Sequence, residues 1–195
     1  MTAKKFLKEA WDKDIITIIR QSLNVIAPQF ANKKGAATVA DATIAARKLK
    51  AGDMAFIDPP YSGVHYSRFY HVLETIAKGE SGDVSGAGRY PDRSLRPQSK
   101  FSVKTHSLAA LQELLKTIAE RNAKAILTFP DHNCSNGLSG MIIRETAEEF
   151  FRVAIKTVDS KFSTLGGNAR LAKTGKGREA KQMAKELILT LTPRK

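Results

Sequence analysis

Apolar residues along this chain fall into two kinds of pattern. Between about Lys4 and Ile26, Leu7, Trp11, Ile15, Ile18, Ile19 and Leu23 recur near the period of an amphipathic helix, and Pro28 ends the run. The same spacing predicts helices from about Ser67 to Lys78 (Phe69, Val72, Leu73, Ile76), from Ser107 (Leu111, Leu114, Leu115, Ile118) and from about Ser139 to Phe151. The second pattern is short and continuous. Met54 to Ile57 (MAFI) and Ala125 to Phe129 (AILTF) are apolar runs suited to buried strands, and prolines close both. Val153 to Val158 and Glu186 to Thr192 predict two more strands. Ala36 to Ala40 predicts a short one, with a small helix through Ala45 and Leu49 behind it.

Strands alternating with helices predict an α/β fold, a mostly parallel sheet covered by helices on both sides. In such sheets ligands bind beyond the carboxyl ends of the strands. That rule places Asp41, the turn from Asp58 to Tyr61 and the loop from Pro130 to Asn136 on one rim. The expected division is an N-terminal helical segment, 1–35, and a larger part, 36–195, that carries the site.

Composition narrows the class. The 195 residues are 42% apolar, enough for a core, so disorder is not the expected main state. No apolar run reaches the roughly 18 residues of a membrane span. The N-terminus, MTAKKFLKEAWDKD, has neither an uninterrupted apolar core nor a small-residue cleavage site, so a cytoplasmic location is expected. A single cysteine, Cys134, excludes an internal disulfide framework and a cysteine-based zinc finger.

Charge then points to a partner. Lys and Arg number 32 against 19 Asp and Glu, a net charge of +13, which makes a polyanion the first candidate. Basic residues dominate from Arg152 to Lys195, and a second set (Arg89, Arg93, Arg96, Lys100, Lys104) lies in a Gly-, Pro- and Ser-rich loop. All four tyrosines (Tyr61, Tyr66, Tyr70, Tyr90) fall beside that loop. Tyrosine near arginine suits nucleic acid, the ring stacking on a base while the guanidinium meets phosphate. A half-buried helix face beside a solvated loop has the same composition.

The sharpest chemistry is in FIDPPYSGVHYSRFYH. Two prolines after Asp58 stiffen the exit of a strand, with φ held near −65°. Asp58 can accept a hydrogen bond from an amino group, the Pro59 carbonyl can accept another, and Tyr61 can lie over a ring. Two acceptors aimed at one NH₂ describe a receptor for the exocyclic amine of adenine or cytosine. Drawing on the hydrogens of that amine frees the nitrogen lone pair to attack, by stabilising charge that develops in the transition state.

The string Asp58-Pro59-Pro60-Tyr61 after an apolar strand, with the continuation SGVHYSRFYHVLETIA, resembles the catalytic motif of the adenine-N6 DNA methyltransferases related to Dam. The resemblance implies a partial Rossmann-like methyltransferase fold and methyl transfer from S-adenosylmethionine to an extruded adenine in DNA. It also implies that Asp58 and Pro59 hold the amine and Tyr61 stacks on the base. Asp41, in TVADA, resembles the family position that contacts the cofactor's adenine; a helix N-cap is the competing reading. Tyr66, Arg68 and Tyr70 line the base pocket or touch DNA, unless they simply pack. Arg89, Arg93, Arg96 and Lys100 are candidate phosphate contacts. No metal is expected, because His65, His71, His132 and Cys134 match no common ligand spacing. Gly166-Gly167-Asn168, in a polar tract expected to be a mobile loop, lacks the P-loop pattern.

The resemblance covers roughly Asp41 to the end. The family's glycine-rich FXGXG loop, which wraps the cofactor's methionine portion, has no counterpart upstream of Asp58, where Gly35 and Gly52 are the only glycines. The first cofactor-binding strands are therefore expected to be missing. Three explanations stay open: a split enzyme completed by a second polypeptide, an inactive remnant, or part of a longer protein. An unpaired sheet edge favours a partner or self-association. A non-catalytic basic nucleic-acid-binding protein is the alternative function.

Overall fold

The computed structural model of the chain describes residues 12, 14–86, 90–161 and 183–194. The chain divides into two units, Met1–Val39 and Ala40–Lys195. In the first, helix α1 (Ile15–Ile26) opens on Asp14, whose carboxylate accepts from the Ile16 N–H at 3.0 Å and the Thr17 hydroxyl at 2.6 Å. That satisfies donors that a first helical turn leaves without partners. The helix stops before Pro28, which has no N–H to continue the ladder. Leu7 and Trp11, expected at the start of this helix, lie outside the described residues. The expected strand from Ala36 to Ala40 does not form, and these residues are exposed. A strand is held by its ladder, and none is offered to this run among the described residues.

The second unit runs α2 (Ala42–Ala46), β1 (Met54–Ile57), α3 (Ser67–Lys78), β2 (Val84–Ser85), β3 (Tyr90–Pro91), α4 (Ser107–Glu120), β4 (Lys124–Pro130), α5 (Gly140–Phe150), β5 (Phe151–Lys161) and β6 (Met183–Pro193). Single 3₁₀ turns occur at Arg93–Leu95 and Lys100–Ser102. Strands β2 and β3 pair only with each other, and the rest form one sheet in the order β1-β4-β6-β5.

Strand β1 lies parallel to β4, with Met54 opposite Lys124 and Ile57 opposite Leu127. Between them the chain passes through α4, the kind of crossover that a parallel pair requires. Strand β6 runs antiparallel to both β4 and β5. The sheet is therefore mixed, with one parallel pair, where alternating elements had predicted a mostly parallel one. The reason is local: β5 and β6 are successive strands that pair with each other in reverse direction.

The core takes alternate strand positions. Ala125, Leu127, Phe129, Leu187, Leu189 and Leu191 are buried, and they cluster with Leu111, Leu115 and Ile118 of α4 and Ile143 and Ala147 of α5. Each fully buried leucine contributes about 1.5–3 kcal/mol. The opposite face is not covered as expected, since Phe56 of β1 is 71% exposed. Helix α5 starts on Ser139, whose hydroxyl accepts from the Ile142 N–H at 3.2 Å. Among the described residues, no helix is long and apolar enough to cross a membrane.

Candidate active site

Strand β1 delivers the acidic turn. Ile57 is buried in the sheet, and the chain emerges one residue later, so Asp58 is exposed. On the neighbouring strand, the Thr128 hydroxyl donates to Asp58 Oδ1 at 3.2 Å. Pro59 is buried and Pro60 half-buried, which anchors the stiff part of the turn. The Tyr61 ring meets the fully buried Phe129 edge to face, with centroids 6.4 Å apart and planes at 87°. Much of that tyrosine remains exposed.

A residue in the loop after β4 sets the other end of the turn. Asn136 has no exposed surface. Its Nδ2 donates to the Pro60 carbonyl at 2.7 Å and the Phe101 carbonyl at 2.9 Å, and its Oδ1 accepts from the Leu138 N–H at 3.3 Å. The Ser107 hydroxyl donates to the Asn136 carbonyl at 2.8 Å, tying this loop to the start of α4. Next to it, Ser135 Oγ accepts from the Gly63 N–H at 2.9 Å. Gly137 follows at φ +89°, and a Cβ there would lie 2.8 Å from Lys104 Cγ, so the position requires glycine. Sequence reading placed the loop on the rim but gave no role to Asn136. Its signal, a polar residue in a polar loop, does not distinguish a buried anchor from a solvated turn.

Asp41 and Asp58 open onto one cavity of about 910 Å³, with Ile57, Pro59, Pro60 and Lys100 also in its wall. That volume lies within the range of about 300–1,000 Å³ common for small-molecule sites. Leu114 and Ile118 of α4 supply apolar wall. Asp41 is also the N-cap of α2, its Oδ1 accepting from the N–H groups of Thr43 at 2.9 Å and Ile44 at 3.2 Å. The cap and a cavity-lining position thus coincide in one residue. At the far end of α2, Arg121 donates to the Arg47 carbonyl through Nε at 2.7 Å and through its second terminal nitrogen. That fork fixes α2, and Asp41 with it, against the end of α4.

Tyr66 sits beside the turn. Burial, followed by the Tyr61 hydroxyl, Asp58 and Tyr70, pushes its phenol well above the usual tyrosine range. Its ring lies 5.5 Å from that of Tyr70, one helical turn on. Tyr66 is 37% and Tyr70 50% exposed, so each is packed over only part of its surface. Arg68 and Arg96 converge instead on Tyr90, with guanidinium carbons 5.1 and 5.4 Å from the ring centroid. Lys100 lines the large cavity and does not join them. Arg93 belongs to a 3₁₀ turn, while Arg89 and the Gly166-Gly167-Asn168 tract lie outside the described residues. Burial pushes the Cys134 thiol up to about 11, so little of it is thiolate near neutral pH. Among the described residues, no three His, Cys, Asp or Glu side chains gather as a metal site would need.

The modification methylase LlaI of Lactococcus lactis subsp. lactis is 40% identical over 68 residues, 34% of this chain and 10% of that protein. The modification methylase StsI of Streptococcus sanguinis is 34% identical over 119 residues, 58% of this chain and 16% of that protein. The chain thus matches only a small part of either relative's length. No solved structure matches. The sequence model of the D12 class N6 adenine-specific DNA methyltransferases matches residues 8–128, a stretch holding Asp41, the Asp58–Tyr61 turn and Thr128. With most of its length matched, including the acidic turn on β1, the chain belongs to the D12 class N6 adenine-specific DNA methyltransferase family.

Proposed function

We propose that this chain is the catalytic portion of a site-specific adenine-N6 DNA methyltransferase, acting on an adenine turned out of the helix. The observation that carries the reading is an exposed Asp58 carboxylate on a proline-stiffened turn, opening onto the same cavity as Asp41. In this reading Asp58 and the Pro59 carbonyl accept hydrogen bonds from the two amine hydrogens, and the exposed part of Tyr61 stacks on the base. Thr128 restrains the carboxylate, and Asn136 holds the Pro60 carbonyl so that the turn keeps one shape. Such acceptors act on charge as it develops on the nitrogen, which is where preorganisation lowers the barrier.

The large cavity fits S-adenosylmethionine in volume and in its mix of apolar wall and carboxylate. When bound, that cofactor supplies an electrophilic methyl group. Asp41 would hold the adenine end with the oxygen not used in capping α2, since both cap bonds go to Oδ1. Strand β1 pairs only with β4 among the described residues, leaving one edge open beside the cavity. Further strands carrying a glycine-rich loop, from another segment or a second polypeptide, would extend the sheet there and complete a Rossmann-like fold. Tyr66 and Tyr70 would flank the extruded base, with Lys100 near the cavity mouth.

Incubation with methyl-tritiated S-adenosylmethionine and adenine-unmethylated DNA, followed by digestion to nucleosides, tests this reading. Label in N6-methyldeoxyadenosine that disappears with Asp58→Ala is expected. Label in cytosine, or transfer that survives the substitution, contradicts it. DNA binding with no transfer under any complementation supports the non-catalytic alternative.

A further inference from the structure

We propose that Arg68 and Arg96, braced on Tyr90, form a binding site for one DNA backbone phosphate, separate from the amine clamp. The proposal rests on the DNA reading and adds to it a defined contact. The two guanidinium carbons lie 5.1 and 5.4 Å from the Tyr90 centroid, and the His71 ring meets the same tyrosine edge-on at 5.1 Å. With His65, Ser67 and Gln98, both arginines line a second cavity of about 360 Å³.

Three features of this cavity call for an anion. No carboxylate lines it, and neither arginine has an ion-pair partner among the described residues. Two like charges held on one ring repel each other, and an anion between them offsets that cost. The hydroxyl of Ser67, a residue in the cavity's lining, is buried and has no hydrogen-bond partner among the described residues. The arginines are also held in advance. Arg96 Nε donates to the Pro91 carbonyl at 2.8 Å and its terminal nitrogen to Ser85 Oγ at 3.3 Å, while the aromatic ring orients both guanidinium planes. Preorganised forks lose less entropy on meeting phosphate oxygens than free side chains do. Location favours a phosphodiester over free phosphate. Arg68 lies two residues beyond Tyr66, whose phenol is perturbed by Tyr61 and Asp58 of the clamp, so a strand whose base enters the clamp runs its backbone past α3.

Binding of the full chain to a fluorescently labelled duplex, followed by anisotropy over a range of salt, tests the site without requiring catalysis. The double substitution R68Q/R96Q should weaken binding alike for all sequences and flatten the plot of log K against log salt by about one unit. Lys116→Gln on α4 removes a charge outside the site and should leave the slope unchanged. Tyr90→Leu keeps both charges and removes the brace, so affinity should fall with no change in slope. Inorganic phosphate at matched ionic strength should not raise the melting temperature, whereas the duplex should. An unchanged slope in R68Q/R96Q, or an equal loss in K116Q, overturns the site. A melting-temperature rise with phosphate alone that R68Q/R96Q abolishes overturns the DNA assignment in favour of a free-phosphate ligand. A chain that binds the duplex but keeps its slope in R68Q/R96Q loses this site alone, whereas a wild-type chain without DNA affinity refutes the broader reading together with the site.

Discussion

Asn136 donates its side-chain amide to the Pro60 carbonyl at 2.7 Å, across 76 positions of sequence and with no surface exposed to solvent. The loop after β4 thereby fixes the shape of the turn after β1. The same amide also satisfies the Phe101 carbonyl, so one side chain joins three segments.

Removing that amide should be costly. Asn136→Ala leaves two carbonyls without their donor, and a buried unsatisfied group costs about 1–3 kcal/mol. Asn136→Asp should be worse, because it sets acceptor oxygens against those same carbonyls. Thermal or urea denaturation of the two variants checks both the loss and its order.

Thr128 lies closer to the proposed clamp, its hydroxyl 3.2 Å from Asp58 Oδ1. Thr128→Val removes the hydroxyl donor to Asp58 with little change in volume, and hydrogen bonds to charged groups are worth about 1.5–3 kcal/mol. The exposure of Asp58 puts this one at the low end. Methyl transfer by the complete enzyme should fall about tenfold, with stability nearly unchanged, and Thr128→Ser should restore it. Equal loss in the valine and serine variants would argue against the hydroxyl.

Much of this arrangement was legible in the chain, and the parts that were not share a cause. Strand β1 occupies Met54–Ile57 as its apolar run predicts, and α3, β4 and α5 differ from expectation by no more than a residue at either end. Those signals are local. Asn136 was missed because its burial depends on Pro60 and Phe101, far away in sequence. The direction of β6 was missed because its own alternation is the same in a parallel or an antiparallel ladder. Residues 36–40 have strand-like composition, but composition supplies no partner. Asp41 was weighed as cap against ligand contact, and its geometry accommodates both.

Gly137 should resist substitution. At φ +89°, with the would-be Cβ 2.8 Å from Lys104 Cγ, Gly137→Ala combines backbone strain with a clash. A loss of about 1–3 kcal/mol is expected, readable as a lower denaturation midpoint. Gly35→Ala, with nothing within 4 Å of its Cβ position, is the comparison that should cost much less.

Cys134 gives a pH test. Its thiol, ordinarily near 9, is raised to about 11 by burial, so the unfolded chain releases this proton before the folded one does. The contribution of this group to stability is therefore complete below pH 9 and declines as pH rises toward 11. A thiol-specific chromophore should label the native chain slowly at pH 8 and the urea-unfolded chain quickly. Equal rates would mean that the sulfur is not shielded.

The amine clamp itself is tested most directly by affinity for a duplex carrying one unpaired purine, with and without its amino group. Adenine at the unpaired position should bind about tenfold more tightly than purine lacking the NH₂, since a charged acceptor is left without its donor in the second case. In Asp58→Ala that difference should vanish. Equal affinity of the wild-type chain for the two duplexes, or a preference for adenine that persists in the variant, would contradict the account.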